Sequence, residues 1–307
     1  ERFSLRKVLI MDRVSTRTVV CLLVFMLASL SPAQQQTQPP RQQPPPLAVQ
    51  NVKGSIYQIT GGAGANTGFF VADKEVIVID AKMTEDAARL MLAEIKNVSP
   101  NPITKLILTH SDGDHVNGLS GFPQGIEIIA HENTRVHMSK AFQTDQQRAC
   151  LPRTTFSDKL SLYFGSGQRI TRIDLLYFGP AHTDGDAVVF FPEEKVAFIG
   201  DLLFLGRDPL IHRAKNGTSV GLVKVLNALI SLDAESYISG HNELSTKKEI
   251  RTMLQSIEEK QARIQTMLKE GKTLEQVKKA FNIETPAGGS RWPSLVEVIY
   301  LDLTQKK

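Results

Sequence analysis

Short apolar runs separated by glycine-rich or polar turns dominate the chain after residue 47, and this pattern predicts a protein rich in β-strands. Three such runs fill residues 47–80, and runs of Val, Ile and Phe bounded by Gly, Asn and Asp are typical of strands. "TKLILTH" and "GIEIIAH" each predict a further strand. Residues 169–201 contain three more strand candidates, and "AESYISGH" ends the series.

Between these runs, apolar residues recur every three or four positions, which is the period of an amphipathic helix. One helix is predicted directly after Thr84, a residue type that caps helix N-termini. "SVGLVKVLNALISL" predicts another, and residues 245–281 predict a helical tail with one apolar stripe. Strands open each half of the chain and helices close it, so we expect a two-layered sheet core covered by helices.

The N-terminal part predicts a processed leader and a linker. Basic residues precede an apolar run at residues 19–30, and the small residues Ser31 and Ala33 follow it. A membrane anchor is the alternative, but a spanning helix needs about 20 apolar residues. We therefore expect a signal peptide cleaved after Ala33 and a periplasmic or secreted protein with no stable membrane span. Residues 34–46, rich in Pro and Gln, predict a disordered linker before a domain at residues 47–307.

Charge and cysteine content narrow the function. The whole chain has 36 basic and 32 acidic residues, and removal of residues 1–33 leaves 31 and 30. A nearly neutral mature chain argues against a nucleic-acid partner. Cys150 is the one cysteine outside the leader, so we expect no internal disulfide and a fold stabilised by its core or by metal.

Candidate metal ligands stand at the ends of predicted strands. "HSDGDH", at residues 110–115, brings two His and two Asp together directly after an apolar run. His131, His182, His241 and Asp201 likewise follow apolar runs. Because loops at one rim of a sheet concentrate function, such a series of imidazole and carboxylate groups indicates a metal site.

These segments resemble the metallo-β-lactamase superfamily, whose pattern is His-x-His-x-Asp-His, a downstream His, a strand-end Asp or Cys and a final His. The matching residues are His110, Asp114 and His115 in "HSDGDH", His182 in "GPAHTDGD", Asp201 in "FIGDLLF" and His241 in "SGHNE". "ANTGFFV" and "VIVIDA", which ends near Asp80, match as well. The resemblance covers nearly all of residues 47–244 and implies an α/β fold, an αββα four-layer sandwich of two mixed sheets with helices on the outer faces.

The resemblance also implies two neighbouring zinc positions that share one carboxylate. Their ligands would be His110, Asp112 and His182 for the first, Asp114, His115 and His241 for the second, and Asp201 for both. A hydroxide formed at neutral pH would attack an amide or ester carbonyl. Asp114 would orient this nucleophile and help protonate the leaving group, and Asp80 would support the ligands from behind.

Asp112 departs from the family pattern, which has His at this position. A carboxylate reaches less far than an imidazole and adds a negative charge, so manganese or iron becomes a more plausible alternative to zinc. Two other functions stay open. One is a mononuclear iron dioxygenase that resembles the persulfide dioxygenases and uses His110, His182 and Asp201 as its iron ligands. The other is a non-catalytic metal-binding relative.

We expect an exported metal-dependent hydrolase that acts on a small molecule such as a β-lactam or lactone. The loop after Asp201 contains His212, Lys215 and Asn216, which are candidates for contacts with substrate. His131 and His137 are attributed to packing, and residues 61–66 to a hairpin at the pocket rim. The tail helix is expected to pack on its own domain, with a homodimer through this helix as the alternative.

Overall fold

Two mixed β-sheets form the centre of the protein. The structure is a computed structural model that describes residues 43–166, 169–283 and 292–305. The seven strands of the first sheet are adjacent in chain order. They are β1 (Ala48–Lys53), β2 (Ile56–Thr60), β3 (Thr67–Val71), β4 (Val76–Ile79), β5 (Ile103–Ile107), β6 (Glu127–His131) and β7 (Thr154–Phe156). Strands β1 to β4 pair antiparallel, and β4 to β7 pair parallel.

The second sheet has five strands in the order β12-β11-β10-β9-β8. They are β8 (Lys159–Ser166), β9 (Arg169–Leu176), β10 (Val188–Phe191), β11 (Val196–Gly200) and β12 (Ser236–Ser239). Only the β11–β12 pair is parallel among these described strands. Both sheets are therefore mixed, as expected.

Eight α-helices connect or cover the sheets within the described residues. They are α1 (Glu85–Val98), α2 (Gly113–Val116), α3 (Glu132–Ala141), α4 (Asp145–Ala149), α5 (Ser219–Ser231), α6 (Lys247–Lys269), α7 (Leu274–Ala280) and α8 (Leu295–Thr304). Thr84 caps α1 as predicted, because its hydroxyl accepts a hydrogen bond from the Ala87 amide. No helix in the described ranges is both long and apolar enough to cross a membrane.

Three apolar clusters separate four layers. The cluster between the sheets includes Ile77 of β4 and Phe191 of β10. Met91 of α1 packs on the outer face of the first sheet, whereas α5, α6 and α8 cover the outer face of the second, where Phe190 points. Since neighbouring residues of a strand face opposite sides, Phe190 and Phe191 enter different clusters. The αββα sandwich predicted from the sequence is confirmed.

The apolar stripe of the tail helix lies on α6. Ile250, Met253, Leu254, Ile257 and Ile264 are buried against the rest of the same chain. The stripe therefore packs on its own domain, and a homodimer through α6 stays a prediction.

Several elements differ from the sequence-based expectation. Residues 47–80 form four strands where three were predicted. The division of the tail into α6 and α7 at Gly271, whose φ of 75° suits glycine, instead matches the further short helix that "TLEQVKKAF" predicts. Helix α3 was not predicted, because Thr134 and Met138 are its only buried side chains and its apolar stripe is correspondingly faint. The predicted signal peptide and most of the linker lie outside the described residues and stay predictions.

Candidate metal centre

The candidate ligands lie where strands end, on one edge of the sandwich. Asp80 follows β4, the segment 109–115 follows β5, Asp201 follows β11, and His241 follows β12 shortly after its last residue. The Gly240 amide donates to the Gly200 carbonyl at 2.8 Å, which joins the loops after β11 and β12. Parallel neighbouring strands end at the same edge, so residues distant in sequence meet there.

The "HSDGDH" segment turns immediately into the short helix α2. The amides of His115 and Val116 both donate to the Asp112 carbonyl, at 2.9 and 3.2 Å. This turn directs four polar side chains toward a common space. The space is completed by His182, from the loop between β9 and β10, and by Asp201 and His241.

The first cluster consists of His110, Asp112 and His182, whose candidate ligand atoms all lie within 4.8 Å of one another. Asp112 Oδ2 is 3.1 Å from His182 Nε2 and 4.0 Å from His110 Nε2. His182 Nδ1 donates to the Leu210 carbonyl at 2.8 Å. This bond keeps a proton on Nδ1, so Nε2 is the nitrogen available to a metal once its own proton is lost.

The second cluster consists of Asp114, His115 and His241. Asp114 Oδ2 is 3.2 Å from His241 Nε2 and 3.7 Å from His115 Nε2. Two atoms bonded to one tetrahedral zinc at normal bond lengths are about 3.3 Å apart. The spacing of the second cluster therefore suits one metal ion.

Asp201 lies between the two clusters. Its Oδ1 is 3.2 Å from His115 Nε2, and its Oδ2 is 3.1 Å from His241 Nε2 and 3.9 Å from His182 Nε2. One carboxylate thus faces imidazoles of both groups. This is the placement that the resemblance implied for a shared ligand.

Three buried ligand atoms make no well-aligned hydrogen bond within the described part of the chain: His110 Nε2, His115 Nε2 and Asp201 Oδ1, of which the last two are 3.2 Å apart. A buried polar atom without a partner costs free energy. All three belong to a single group of potential metal ligands. A cation would satisfy them together, so the residues present fit a metal.

Asp80 lies behind the ligands and supports one of them. Its Oδ2 is 2.8 Å from His115 Nδ1 and accepts a hydrogen bond from the Thr109 hydroxyl at 2.7 Å. Its Oδ1 accepts from the Thr109 amide at 2.8 Å. A carboxylate on Nδ1 orients the ring and leaves Nε2 for the metal. This position agrees with the supporting role that the resemblance implied.

The three candidate substrate contacts have different neighbours. Asp112 Oδ1 lies 2.9 Å from His212 Nδ1 and 2.6 Å from Lys215 Nζ. Asn216 instead donates to Asp184 Oδ2 at 2.6 Å. The His212 ring also meets the Trp292 ring edge-on, 4.2 Å between centroids. No functional role was predicted for this Trp. Contact of these residues with substrate stays a prediction.

The remaining histidines have structural partners. His131 Nδ1 accepts from the Asn133 amide at the start of α3, and its ring stacks on Tyr177. His137 Nε2 is 2.6 Å from Asp184 Oδ1. Neither belongs to a potential metal group in the described ranges, which agrees with their attribution to packing.

Comparison with known proteins gives the family. A sequence profile of the metallo-beta-lactamase superfamily matches residues 60–241, more than half of the chain. This chain belongs to the metallo-β-lactamase superfamily. The metallo-beta-lactamase from Pontibacter korlensis has the same fold, with a TM-score of 0.57, 17% identity, and coverage of 68% of this chain and 99% of that one.

Two curated relatives are similar in sequence. The 2,4-dinitroanisole O-demethylase subunit alpha of Nocardioides sp. strain JS1661 is 26% identical over 64% of this chain and 58% of its own length. The metallo-beta-lactamase type 2 of Elizabethkingia meningoseptica is 27% identical over 54% of this chain and 66% of its own length. The match thus spans less than two thirds of either relative.

A glycine-rich hairpin, residues 61–66, borders the centre of this superfamily member, as the sequence predicted. The Ala65 amide donates to the Asp114 carbonyl at 3.2 Å. The buried Lys82 ammonium donates to the carbonyls of Gly61 and Ala65, both at 2.8 Å. Burial lowers the pKa of Lys82 to about 8, although the negative charge of Asp80 raises it in part. Sequence reasoning missed Lys82, because a lysine beside Asp80 gives no sign that it will be buried.

Carboxylates raise the pKa values of three ligand histidines. Burial lowers the pKa of His115, but the charges of Asp201 and Asp80 outweigh it and hold the pKa well above its usual value. Burial lowers the pKa of His182, but the hydrogen bond with Asp112 and the charge of Asp201 outweigh it and raise the pKa to about 9. Burial also lowers the pKa of His241, but its hydrogen bonds with Asp114 and Asp201 outweigh burial and raise the pKa to about 9. Without a metal, these three imidazoles are therefore cationic at neutral pH.

The other central groups shift differently. Burial lowers the pKa of His110 well below its usual value, and the neighbouring His115 and His182 lower it further. Burial raises the pKa of Asp201, but the charge of His115 overcomes this and holds it well below the usual range. His110 is thus a neutral donor and Asp201 an anionic one, the forms that metal binding requires.

Metal affinity is expected to rise with pH up to about 9. The raised pKa values of His182 and His241 mean that each must lose a proton before it can bind a metal. Lowering the pH therefore weakens binding, and binding at pH 7 should release protons. Calorimetric titration with zinc in buffers of different ionisation enthalpy would measure this release. An affinity that is constant between pH 6 and 9 would contradict the prediction.

Proposed function

We propose that this chain is an exported, zinc-dependent hydrolase that acts on the amide or ester carbonyl of a small molecule such as a β-lactam or a lactone. The proposal rests on one observation above all. Three buried ligand atoms, His110 Nε2, His115 Nε2 and Asp201 Oδ1, make no well-aligned hydrogen bond in the described structure and face one centre. Export is inferred from the leader-like sequence before residue 34.

The seven clustered side chains would hold up to two zinc ions. Bound zinc supplies a Lewis acid that activates water and polarises a carbonyl. The protein's own contribution is to keep imidazole Nε2 atoms directed inward. It does so through the Nδ1 contacts of His115 with Asp80 and of His182 with the Leu210 carbonyl.

Asp114 is the proposed proton carrier. It is 21% exposed at its side chain, and His241 beside it is 30% exposed, whereas His110 and His115 are buried. The open side of the centre is therefore the side of Asp114. From there its carboxylate can orient a water molecule, take its proton and return that proton to a leaving group.

The surroundings of this opening favour a substrate with apolar parts. Met83 lies beside the hairpin at residues 61–66 and is 46% exposed. Leu205 is 38% exposed, and its amide donates to Asn242, next to His241. The Phe204 ring stacks on His241 at 5.7 Å. Apolar side chains around a few polar groups are typical of small-molecule sites.

Metal analysis and substrate profiling test the proposal together. The purified protein would be stripped with a chelator and reconstituted with zinc, manganese or iron(II). It would then be assayed on a chromogenic β-lactam and an aryl lactone. We expect zinc-restored hydrolysis of at least one substrate, lost by more than about a hundredfold in His110→Ala.

His137→Ala is the matched control, because His137 pairs with Asp184 outside the metal clusters. It should retain hydrolysis within about twofold. Hydrolysis that persists without metal would refute the proposal. Stoichiometric iron with oxygen consumption would instead support the dioxygenase hypothesis, and metal binding without turnover would support a non-catalytic relative.

A further inference from the structure

The two oxygens of Asp112 face different partners. Oδ2 points to His182 Nε2 at 3.1 Å, within the first cluster. Oδ1 points away from that cluster, to Lys215 Nζ at 2.6 Å and His212 Nδ1 at 2.9 Å. Asp112 is 9% exposed and the Lys215 side chain 18% exposed, so this is a largely buried ion pair. Such a pair is electrostatically stronger than one in water.

The backbone and side chain of Lys215 are both fixed. Its ammonium also donates to the Ser111 carbonyl at 2.9 Å. Its amide donates to the His212 carbonyl at 2.8 Å, and its carbonyl accepts from the Asp184 amide at 2.9 Å. The Lys215 ammonium is therefore held in one position beside the first cluster.

The second cluster has a different charge environment. Its carboxylates, Asp114 and Asp201, pair with the imidazoles of His115 and His241 at 3.1 to 3.7 Å. An imidazole nitrogen can itself bind a metal ion, so these partners of the carboxylates are also metal ligands. An ammonium group has no lone pair with which to bind a metal, so Lys215 can only oppose an ion at the first cluster.

We propose that Lys215 is a built-in counter-ion for Asp112 that weakens metal binding at the first cluster, so that the second cluster loads first. The inference rests on the metal binding proposed above. Without a metal, Lys215 neutralises a buried carboxylate and stabilises the fold. With a divalent cation on Oδ2, the same ammonium repels the ion and withdraws charge from the ligand. Lys215 thus favours the state in which the first cluster holds no metal.

Zinc titration of chelator-treated protein tests this inference. Wild type, Lys215→Met, Asp112→Asn and Lys53→Met would be compared by competition with a fluorescent chelator and by elemental analysis. Lys53 is the matched control, because it pairs with Glu235 at 3.3 Å on the exposed surface. The thermal midpoint of each metal-free protein would be measured in parallel.

The wild type should bind two ions with unequal affinity. Lys215→Met should raise the affinity of the weaker site by roughly tenfold or more. It should also lower the thermal midpoint of the metal-free protein by roughly 5 °C or more, because Asp112 loses its buried partner. Asp112→Asn should lose the weaker site and keep the tighter one. Lys53→Met should behave like the wild type.

Two results would overturn the inference while leaving the metal centre in place. Weaker zinc binding in Lys215→Met would show that Lys215 positions Asp112 as a ligand and does not compete with the metal. Loss of the tighter site in Asp112→Asn would show that the first cluster loads first. No zinc binding by the wild type would refute the metal centre itself, and with it the proposed function.

Discussion

Asp201→Asn should remove metal binding from both clusters at once. The carboxylate faces His115 and His241 in the second cluster and His182 in the first. The amide has nearly the same shape but carries no charge, and amides are poor ligands for zinc compared with carboxylates. We expect metal content to fall below half that of the wild type and hydrolysis to fall by about a thousandfold or more. Elemental analysis of dialysed protein and steady-state kinetics would measure the two effects.

Asp174→Asn is the matched control for this substitution. Asp174 is also a buried carboxylate, but it pairs with Lys159 and Ser161 on β8, outside the centre. Its replacement should leave metal content unchanged even if it lowers stability. Full metal content in Asp201→Asn would show that Asp201 is not a ligand of either ion.

Asp80→Asn should weaken metal binding although Asp80 touches no metal position. An asparagine could present its NH₂ group to His115 Nδ1, which is now 2.8 Å from a carboxylate oxygen. The imidazole would then carry its proton on Nε2, where the metal should bind. Loss of such a supporting carboxylate typically lowers metal affinity by about 10- to 100-fold. Competition titration with zinc would measure the change.

The fold is not expected to collapse in Asp80→Asn. Asp80 has a φ of 62°, a backbone conformation that asparagine tolerates well. The side chain can still accept from the Thr109 amide. Urea denaturation of metal-free protein should therefore show a loss of no more than about 2 kcal/mol. An unchanged zinc affinity would mean that Asp80 does not set the tautomer of His115.

Apolar periodicity predicted most of the central elements, because strand-forming and helix-forming residues are concentrated in those segments. Strands β5, β6 and β9 to β12 and helices α1 and α5 were all anticipated from local patterns. Strand β8 and helices α3 and α4 were not predicted from the sequence. Helix α4 has no buried residue, so no apolar period marks it.

The candidate ligands could be recognised because they are chemically unusual at strand ends. Four polar side chains in "HSDGDH" following an apolar strand are hard to explain by packing alone. The partners of those ligands could not be recognised in the same way. Lys82 and Trp292 have no local pattern that marks them, and their positions depend on loops from distant parts of the chain.

The sequence by itself determined the sandwich, the set of candidate ligands and the departure at Asp112, because periodicity and residue type act locally. Only the tertiary structure decided what Asp112 contacts. Its carboxylate meets Lys215, 103 positions further along the chain, and this pair exists because the loop after β11 folds back over the loop after β5. A buried charge requires a partner, but the sequence alone does not show which residue pairs with Asp112. The packing of the two sheets determines that partner.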